Sequence, residues 1–420
     1  MINKELLRQI IIQQQNQNKI TEKTVQREVL NEILKNFKDN RILILTGLRR
    51  SGKSTLLNQI MATKKDWCYV NFEDERFIEF QAQNFEMLNE VLIEIYGNPK
   101  IYFFDEIQNI EKFETFTRRL QDQGKKIIIT GSNATLLSKE LGTRLTGRYK
   151  SFEVYPFSFK EYLTFKEQII NKEKVYLAET KVQLLKLFKE YLLNGGMPEY
   201  LKNKDPEYIK TVYNNILYRD IIARYGIRQQ RTLKELATIL ATNISLTITY
   251  NSLKKDLKLA NSITVKEYLS YLSNTYLFFE MQKFDYSIRK QLSAPKKIYL
   301  IDSSFNKALG TNFTNNQVRL LENTIFLELK RKNKEINYYS SKKECDFVIK
   351  QGKQIKEAIQ VCYELTQKNK EREIQGLIEA MNAFKLKEGF IITYEQEEEL
   401  KEDGKQIRII PAWKWLLKEE

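Results

Sequence analysis

Gly47, Gly52, Lys53 and Ser54 stand in the spacing G-x-x-x-x-G-K-S, after the apolar run ILIL and before the amphipathic LLNQIM. This is chemistry made largely from backbone. The glycines let main-chain N–H groups turn inward around a β-phosphate, and the helix that follows offers its positive end to the same anion. Lys53 is placed to reach the β- and γ-phosphates, and the Ser54 hydroxyl to ligate Mg²⁺. Gly47, Arg50, Ser51, Gly52, Lys53, Ser54 and Thr55 are therefore the expected nucleotide-binding residues.

Hydrolysis needs an acid and a base as well, and IYFFDE supplies both at the end of a second apolar segment. At the C-terminal edge of a parallel sheet, Asp105 would hold the Mg²⁺ water shell and Glu106 would polarise the attacking water. A third apolar run, KKIIITGSN, ends in Ser132 and Asn133, which would stand beside Asp105 if the strands are neighbours. A polar residue there can orient water against the γ-phosphate. Arg144 and Arg148 follow closely, and one of them could neutralise transition-state charge, in cis or in trans.

These groups need elements to carry them. The run ITEKTVQREVLNEILKNF places Val25, Val29, Ile33 and Phe37 on one helical face, predicting a helix against the edge of the domain. Next come the loop-bearing strand, a strand at 67–72 (WCYVNF), a helix at 84–96, the acid-bearing strand, a helix near 112–122 and KKIIIT. Strands alternating with helices of this length predict a parallel α/β sheet, a P-loop NTPase core over residues 1–160. The order of its strands is not readable.

At 420 residues the chain calls for two or three domains. No apolar run approaches the ~18 residues of a membrane span, so the expectation is a cytoplasmic protein without a membrane partner. The three cysteines, Cys68, Cys345 and Cys362, form no C-x-x-C, which argues against structural zinc. Histidine is absent, which excludes His triads and His general bases. Net charge is +15, with residues 201–300 holding 17 Lys/Arg against 8 Asp/Glu. A basic middle suggests DNA as a polyanion partner, but charge alone does not separate that from a lysine-rich surface.

Residues 161–229 read as a helical, lid-like region broken at the hinge-like turn Asn194-Gly195-Gly196-Met197-Pro198. Residues 230–305 hold short amphipathic helices. The most regular, ITVKEYLSYLSNTYLF, has Ser262 as its cap and Lys266 on its early turns, with Arg289 and Lys290 in a wing, a pattern resembling a winged helix. Such units contact DNA or proteins. From 306 to 420 a helix, antiparallel strands and carboxylates at strand centres resemble a nuclease core. Glu322, Asp346 and Gln360 would there converge on a metal as a second site.

The motifs GLRRSGKSTLL, YFFDEIQNI, ITGSNATLLS, TGRYKSFEVYPFSFKEYL, NGGMPEY, ITVKEYL, LLEN and ECDFVI together resemble the bacterial and archaeal AAA+-like P-loop ATPases that carry a C-terminal DUF4143 domain. The resemblance implies an ASCE-type ATPase core, a helical and winged-helix middle and a restriction-endonuclease-like C-terminal fold. It implies ATP and Mg²⁺ as cofactors, Lys53 and Ser54 in the nucleotide loop, Asp105 and Glu106 as the acid pair, and Arg148 as the arginine before the P-x-S-F-x-E-Y segment. The nuclease-like part departs from an active pattern. Where an active core reads Glu-x-Lys, this chain reads Gln360-Val361-Cys362, leaving only Lys350 or Lys356 nearby as substitutes. The expected activity is ATP hydrolysis coupled to rearrangement of a DNA-associated module. The alternatives are an ATP-gated protein-binding switch and a DNA-cleaving effector, with a homo-oligomer compatible with each.

Overall fold

The computed structural model describes residues 2–17, 24–133, 147–168, 177–309 and 317–418, which fall into two compact units, Met1–Tyr155 and Pro156–Glu420. Arg144 lies outside the described residues. The segments expected at 161–229, 230–305 and 306–420 all belong to the second unit.

The first unit is built on five strands, β1 (Ile42–Thr46), β2 (Trp67–Asn71), β3 (Ile101–Asp105), β4 (Lys126–Gly131) and β5 (Tyr149–Glu153). They are parallel and ordered β2-β3-β4-β1-β5. Its helices are α1 (Lys4–Gln17), α2 (Val29–Lys35), α3 (Lys53–Ala62), α4 (Phe85–Tyr96) and α5 (Phe113–Asp122). Period-two alternation sends Ile42, Ile44, Tyr102 and Phe104 into a core with α1, α4 and α5, and Leu43, Leu45, Ile101 and Phe103 into another with α2 and α3. Both faces are thus buried, which is why β1, β3 and β4 read as continuous apolar runs.

The helix expected across residues 20–37 is shorter than its periodicity suggests, because α2 begins only at Val29. The backbone before it is used elsewhere. Gln59 donates to the Val25 carbonyl at 2.7 Å and accepts from the Arg27 N–H at 3.3 Å.

The second unit opens with helices. The Asn194–Pro198 turn, expected to be a hinge, is packed tight: the Gly196 N–H donates to Asp302 Oδ2 at 2.6 Å, and a Cβ on Gly195 would fall 1.8 Å from Asp302 Oδ1. Residues 216–223 form a π-helix. Then follow helix Gln230–Thr242, β6 (Thr247–Ile248), helices Tyr250–Asp256 and Ser262–Asn274, β7 (Phe278–Gln282), helix Ile288–Ser293 and β8 (Lys296–Leu300). The three strands form an antiparallel sheet ordered β6-β8-β7. Helix Ser262–Asn274 is capped by Asn261, whose side chain accepts from the N–H groups of Ile263 and Thr264, and not by Ser262 as expected.

After helix Gln317–Arg331, six strands complete the chain: β9 (Glu335–Ser340), β10 (Glu344–Gln351), β11 (Gln354–Val361), β12 (Glu388–Thr393), β13 (Glu398–Glu402) and β14 (Lys405–Pro411). Their mixed sheet is ordered β13-β14-β12-β11-β10-β9, with helix Lys370–Ala383 between β11 and β12 in sequence. The strands expected from INYYSS, ECDFVIK, the IKEAIQV run and GFIITY are all present, and β13 and β14 extend them.

Candidate functional site

The turn from β1 into α3 makes the expected cradle. Gly47 takes φ 148° because the backbone passes close to the next strand; a Cβ there would lie 2.2 Å from the Val154 carbonyl oxygen. Gly52 takes φ 97°, and Arg50 enters the left-handed region at φ 65°. Lys53 is buried and folds back into the loop, donating to the carbonyls of Gly47 at 3.2 Å and Leu48 at 3.1 Å. The loop is braced from behind by buried Arg27, which donates to the carbonyls of Ser51 at 2.9 Å and Tyr155 at 2.5 Å.

The acid pair arrives from β3, with β4 lying between it and β1. Glu106 adopts φ 51°, a left-handed conformation costly for a non-glycine residue, and its carboxylate comes 3.6 Å from the Lys53 ammonium. Burial works against ionisation of Glu106, but Lys53, then Gln108, Arg49 and Ser132, outweigh it and hold the carboxyl below the ordinary glutamate range. Asp105 differs. Burial pushes its carboxyl up, although hydrogen bonds from Thr130 and Ser54 and the charge of Lys53 oppose the shift. A buried carboxylate bonded to the Ser54 hydroxyl is a site that a hard cation would stabilise.

Ser132 does stand beside the acids, because β4 pairs with β3. Ser132 reaches Glu106, and Asn133 is fully buried immediately after it. Arg148 stands elsewhere. It precedes β5, whose first residue Tyr149 pairs with Ile42 at the start of β1, and it forms an ion pair with Asp122. Four residues of strand, roughly 13 Å, separate that edge from the loop. Within one chain Arg148 therefore does not face the cradle.

In the second unit Glu322 and Asp346 come together, but around an ammonium. Lys297 of β8 lies 3.0 Å from Glu322, 2.8 Å from Asp346 and 2.8 Å from Glu344. Gln360 is not part of this group, which corrects the expected metal triad. Its amide is consumed within the fold, accepting from the Asp346 N–H at 3.2 Å and donating to Glu373 at 2.7 Å. Nor does either expected substitute lysine reach in, since Lys350 pairs with Glu335 and Lys356 donates to Gln354. Burial lowers the Lys297 pKa, but Asp346 and Glu322 more than reverse this and raise it well above the ordinary value. Burial and the neighbouring Asp346 push Glu322 up to about 8.

A family model described as an AAA domain matches residues 39–163, and one described as a domain of unknown function, DUF8612, matches residues 185–317. The uncharacterized protein MJ1544 of Methanocaldococcus jannaschii is 37% identical over 438 residues, covering 99% of this chain and 96% of that protein. An uncharacterized protein of Haemophilus influenzae is 30% identical, covering 94% and 98%. The chain belongs to this AAA-type ATPase family. The domain of unknown function shown is thus DUF8612 at residues 185–317, and not the DUF4143 domain expected for residues 306–420. A Walker-type ATPase of Pyrococcus abyssi aligns in structure over 70% of this chain and 99% of its own, at 17% identity and TM-score 0.45. Among the described residues, no helix is long and apolar enough to cross a membrane.

The AAA domain also contains site residues that sequence reasoning did not single out. Thr130 donates to the Asp105 carboxylate and accepts from the Glu106 N–H at 2.9 Å, so one hydroxyl ties both acids to β4. Tyr69 of β2 donates to Asp105 from the other side at 3.2 Å, and Gln108 donates to Glu106. Strand order is the only signal that would have found Thr130 and Tyr69. Gln108 sits two residues beyond Glu106 in the same motif and was within reach of inspection.

Proposed function

We propose that this chain is a Mg²⁺-dependent ATPase that couples ATP binding and hydrolysis to rearrangement of a DNA-associated module in its second unit. The observation that carries the reading is the meeting of Lys53, Ser54, Asp105 and Glu106 at one edge of the sheet, although they come from two strands that do not touch.

The residues present fit a nucleotide triphosphate and its metal. The cradle leaves no room for a Cβ at Gly47, and the Ser51 hydroxyl is buried without a hydrogen-bond partner, a donor that a phosphate oxygen would satisfy. Ser54 and Asp105 would hold the metal, which when bound neutralises charge on the phosphate oxygens. Lys53 leaves the carbonyls of Gly47 and Leu48 to meet the phosphates. Glu106, kept ionised, accepts a proton from water, while Ser132 and Gln108 fix its orientation and Thr130 fixes its backbone.

DNA enters through residues 230–300. Their helix-strand-helix-helix-strand-helix-strand order and antiparallel sheet support a winged-helix reading, in which helix Ser262–Asn274 would enter a groove. Lys255, Lys258 and Lys266, with Arg289 and Lys290 between β7 and β8, are exposed. The C-terminal helix and mixed sheet support the expected restriction-endonuclease-like module. ATP turnover measured with and without duplex DNA tests the whole reading. Turnover equal in wild type, Lys53→Ala and Glu106→Gln removes the ATPase, whereas DNA affinity that does not fall with salt removes the DNA module.

A second reading, an ATP-gated protein-binding switch, is favoured by one observation. Tyr286, Ile288 and Leu292, between β7 and β8, are 84%, 72% and 60% exposed. Salt-insensitive, weak DNA binding alongside intact turnover selects it.

A further inference from the structure

Lys297 is the second residue of β8 in the three-stranded sheet, yet its side chain is 2% exposed and ends among carboxylates from two other elements, Glu322 on helix Gln317–Arg331 and Glu344 and Asp346 on β10. A primary ammonium has three N–H donors, and here three carboxylate oxygens lie within 2.8 to 3.0 Å of it. Asp346 and Glu322 each have a further donor besides the ammonium. Asp346 Oδ2 accepts from the Val361 N–H at 2.9 Å, and Glu322 Oε1 also accepts from the Tyr299 hydroxyl at 2.7 Å. Glu322 and Asp346 are buried while Glu344 is exposed, and buried carboxyls must either keep a proton or meet a cation; this chain brings its own cation.

We propose that Lys297 is a tethered cation that permanently fills the position a divalent metal would take between Glu322, Glu344 and Asp346, so that the C-terminal module engages its partner without cutting nucleic acid. The inference rests on the restriction-endonuclease-like reading of that module. A metal could enter only by displacing this buried ammonium. The neighbouring strand agrees with a silent centre. Gln360 is spent on Asp346 and Glu373, and Cys362, at the position an active core gives to lysine, bonds the Glu364 carbonyl at 3.1 Å. The filled site has a second consequence. It ties β8 of the small sheet to helix Gln317–Arg331 and to β10, making one ionic joint between the DNA-facing part of the second unit and its six-stranded sheet.

The test is Mn²⁺ binding by the full chain without nucleotide, followed by electron paramagnetic resonance and by the shift in melting temperature. Wild type and Asp346→Asn are expected to bind Mn²⁺ equally. Lys297→Ala is expected to gain an additional site whose occupancy raises its melting temperature, and Lys297→Ala with Asp346→Asn to lose that gain. A wild-type Mn²⁺ site abolished by Asp346→Asn, Mn²⁺-dependent plasmid nicking with the same dependence, or no gain in a folded Lys297→Ala chain would overturn the proposal. If Lys297→Ala does not fold, the comparison of wild type with Asp346→Asn decides by itself: equal binding without nicking supports the tethered cation, and loss refutes it. ATP turnover in the same preparations reports on Lys53 and Glu106 separately, so failure of the ATPase reading is distinguishable from failure of this one.

Discussion

The Glu106 carboxylate lies 3.6 Å from the Lys53 ammonium, although their strands, β3 and β1, are separated by β4. Each residue is held by a different device: Lys53 opens the helix after the phosphate loop, and Glu106 occupies a left-handed turn tied to Thr130. The two opposite charges offset one another, and a triphosphate would compete with Glu106 for the lysine. Glu106→Gln should therefore retain nucleotide binding while losing turnover by about 10²- to 10⁴-fold, the usual contribution of a general base. Lys53→Ala should lose binding as well. Equilibrium binding of a fluorescent ATP analogue beside phosphate release separates the two.

Thr130 carries more than its size suggests. Thr130→Val keeps the shape but leaves the half-buried Glu106 N–H without its acceptor and takes one donor from the buried Asp105 carboxylate, which keeps Tyr69 and Ser54. An unsatisfied buried group costs about 1–3 kcal/mol, so a fall in unfolding free energy of that order is expected together with reduced turnover. Chemical denaturation of both proteins measures the first effect. Unchanged stability would mean that water replaces the hydroxyl.

Arg148 makes a contrasting case. It is over a third exposed and paired with exposed Asp122, at the far edge of the sheet from the cradle. Surface pairs of this kind contribute roughly 0–1 kcal/mol, so Arg148→Ala should melt close to wild type. At dilute protein its turnover should also match wild type. A deficit that appears only as protein concentration rises would place the arginine across a subunit contact, and a deficit at every concentration would contradict the geometry described here.

What could be read in the sequence follows from how local each signal is. The loop from Gly47 to Thr55 and the pair Asp105-Glu106 were legible because spacing and strand ends are properties of contiguous residues. Thr130 and Tyr69 were not, because they reach Asp105 only once β4 and β2 are known to flank β3. Arg148 misled through proximity in sequence: a residue just before a parallel strand sits at the edge opposite the ligands. The Asn194–Pro198 turn read as a hinge because glycines signal freedom, whereas here they make room for Asp302 and for the Phe157 carbonyl. Lys297 gave no sign at all. PKKIYLI reads as a basic entry to a strand, and nothing adjacent tells that its ammonium serves Glu322 and Asp346, both more than twenty residues away.

The same cluster makes stability depend on pH, and the sign can be worked out. One ammonium cannot balance three carboxylates, and burial together with Asp346 holds Glu322 at about 8 against an ordinary 4.5. Below about pH 4.5 the folded and unfolded chains both carry the Glu322 proton. Between 4.5 and 8 only the folded chain keeps it, so unfolding releases a proton and stability falls as pH rises through that window. Glu322→Gln preserves an acceptor for Tyr299 and Lys297 but has nothing to titrate. Its melting temperature should therefore decline less than that of wild type between pH 5 and 8, with the two curves diverging most near pH 8 and running parallel above it. Parallel curves across the whole range would mean that Glu322 is already ionised in the folded chain and that the Lys297 ammonium balances all of its neighbours.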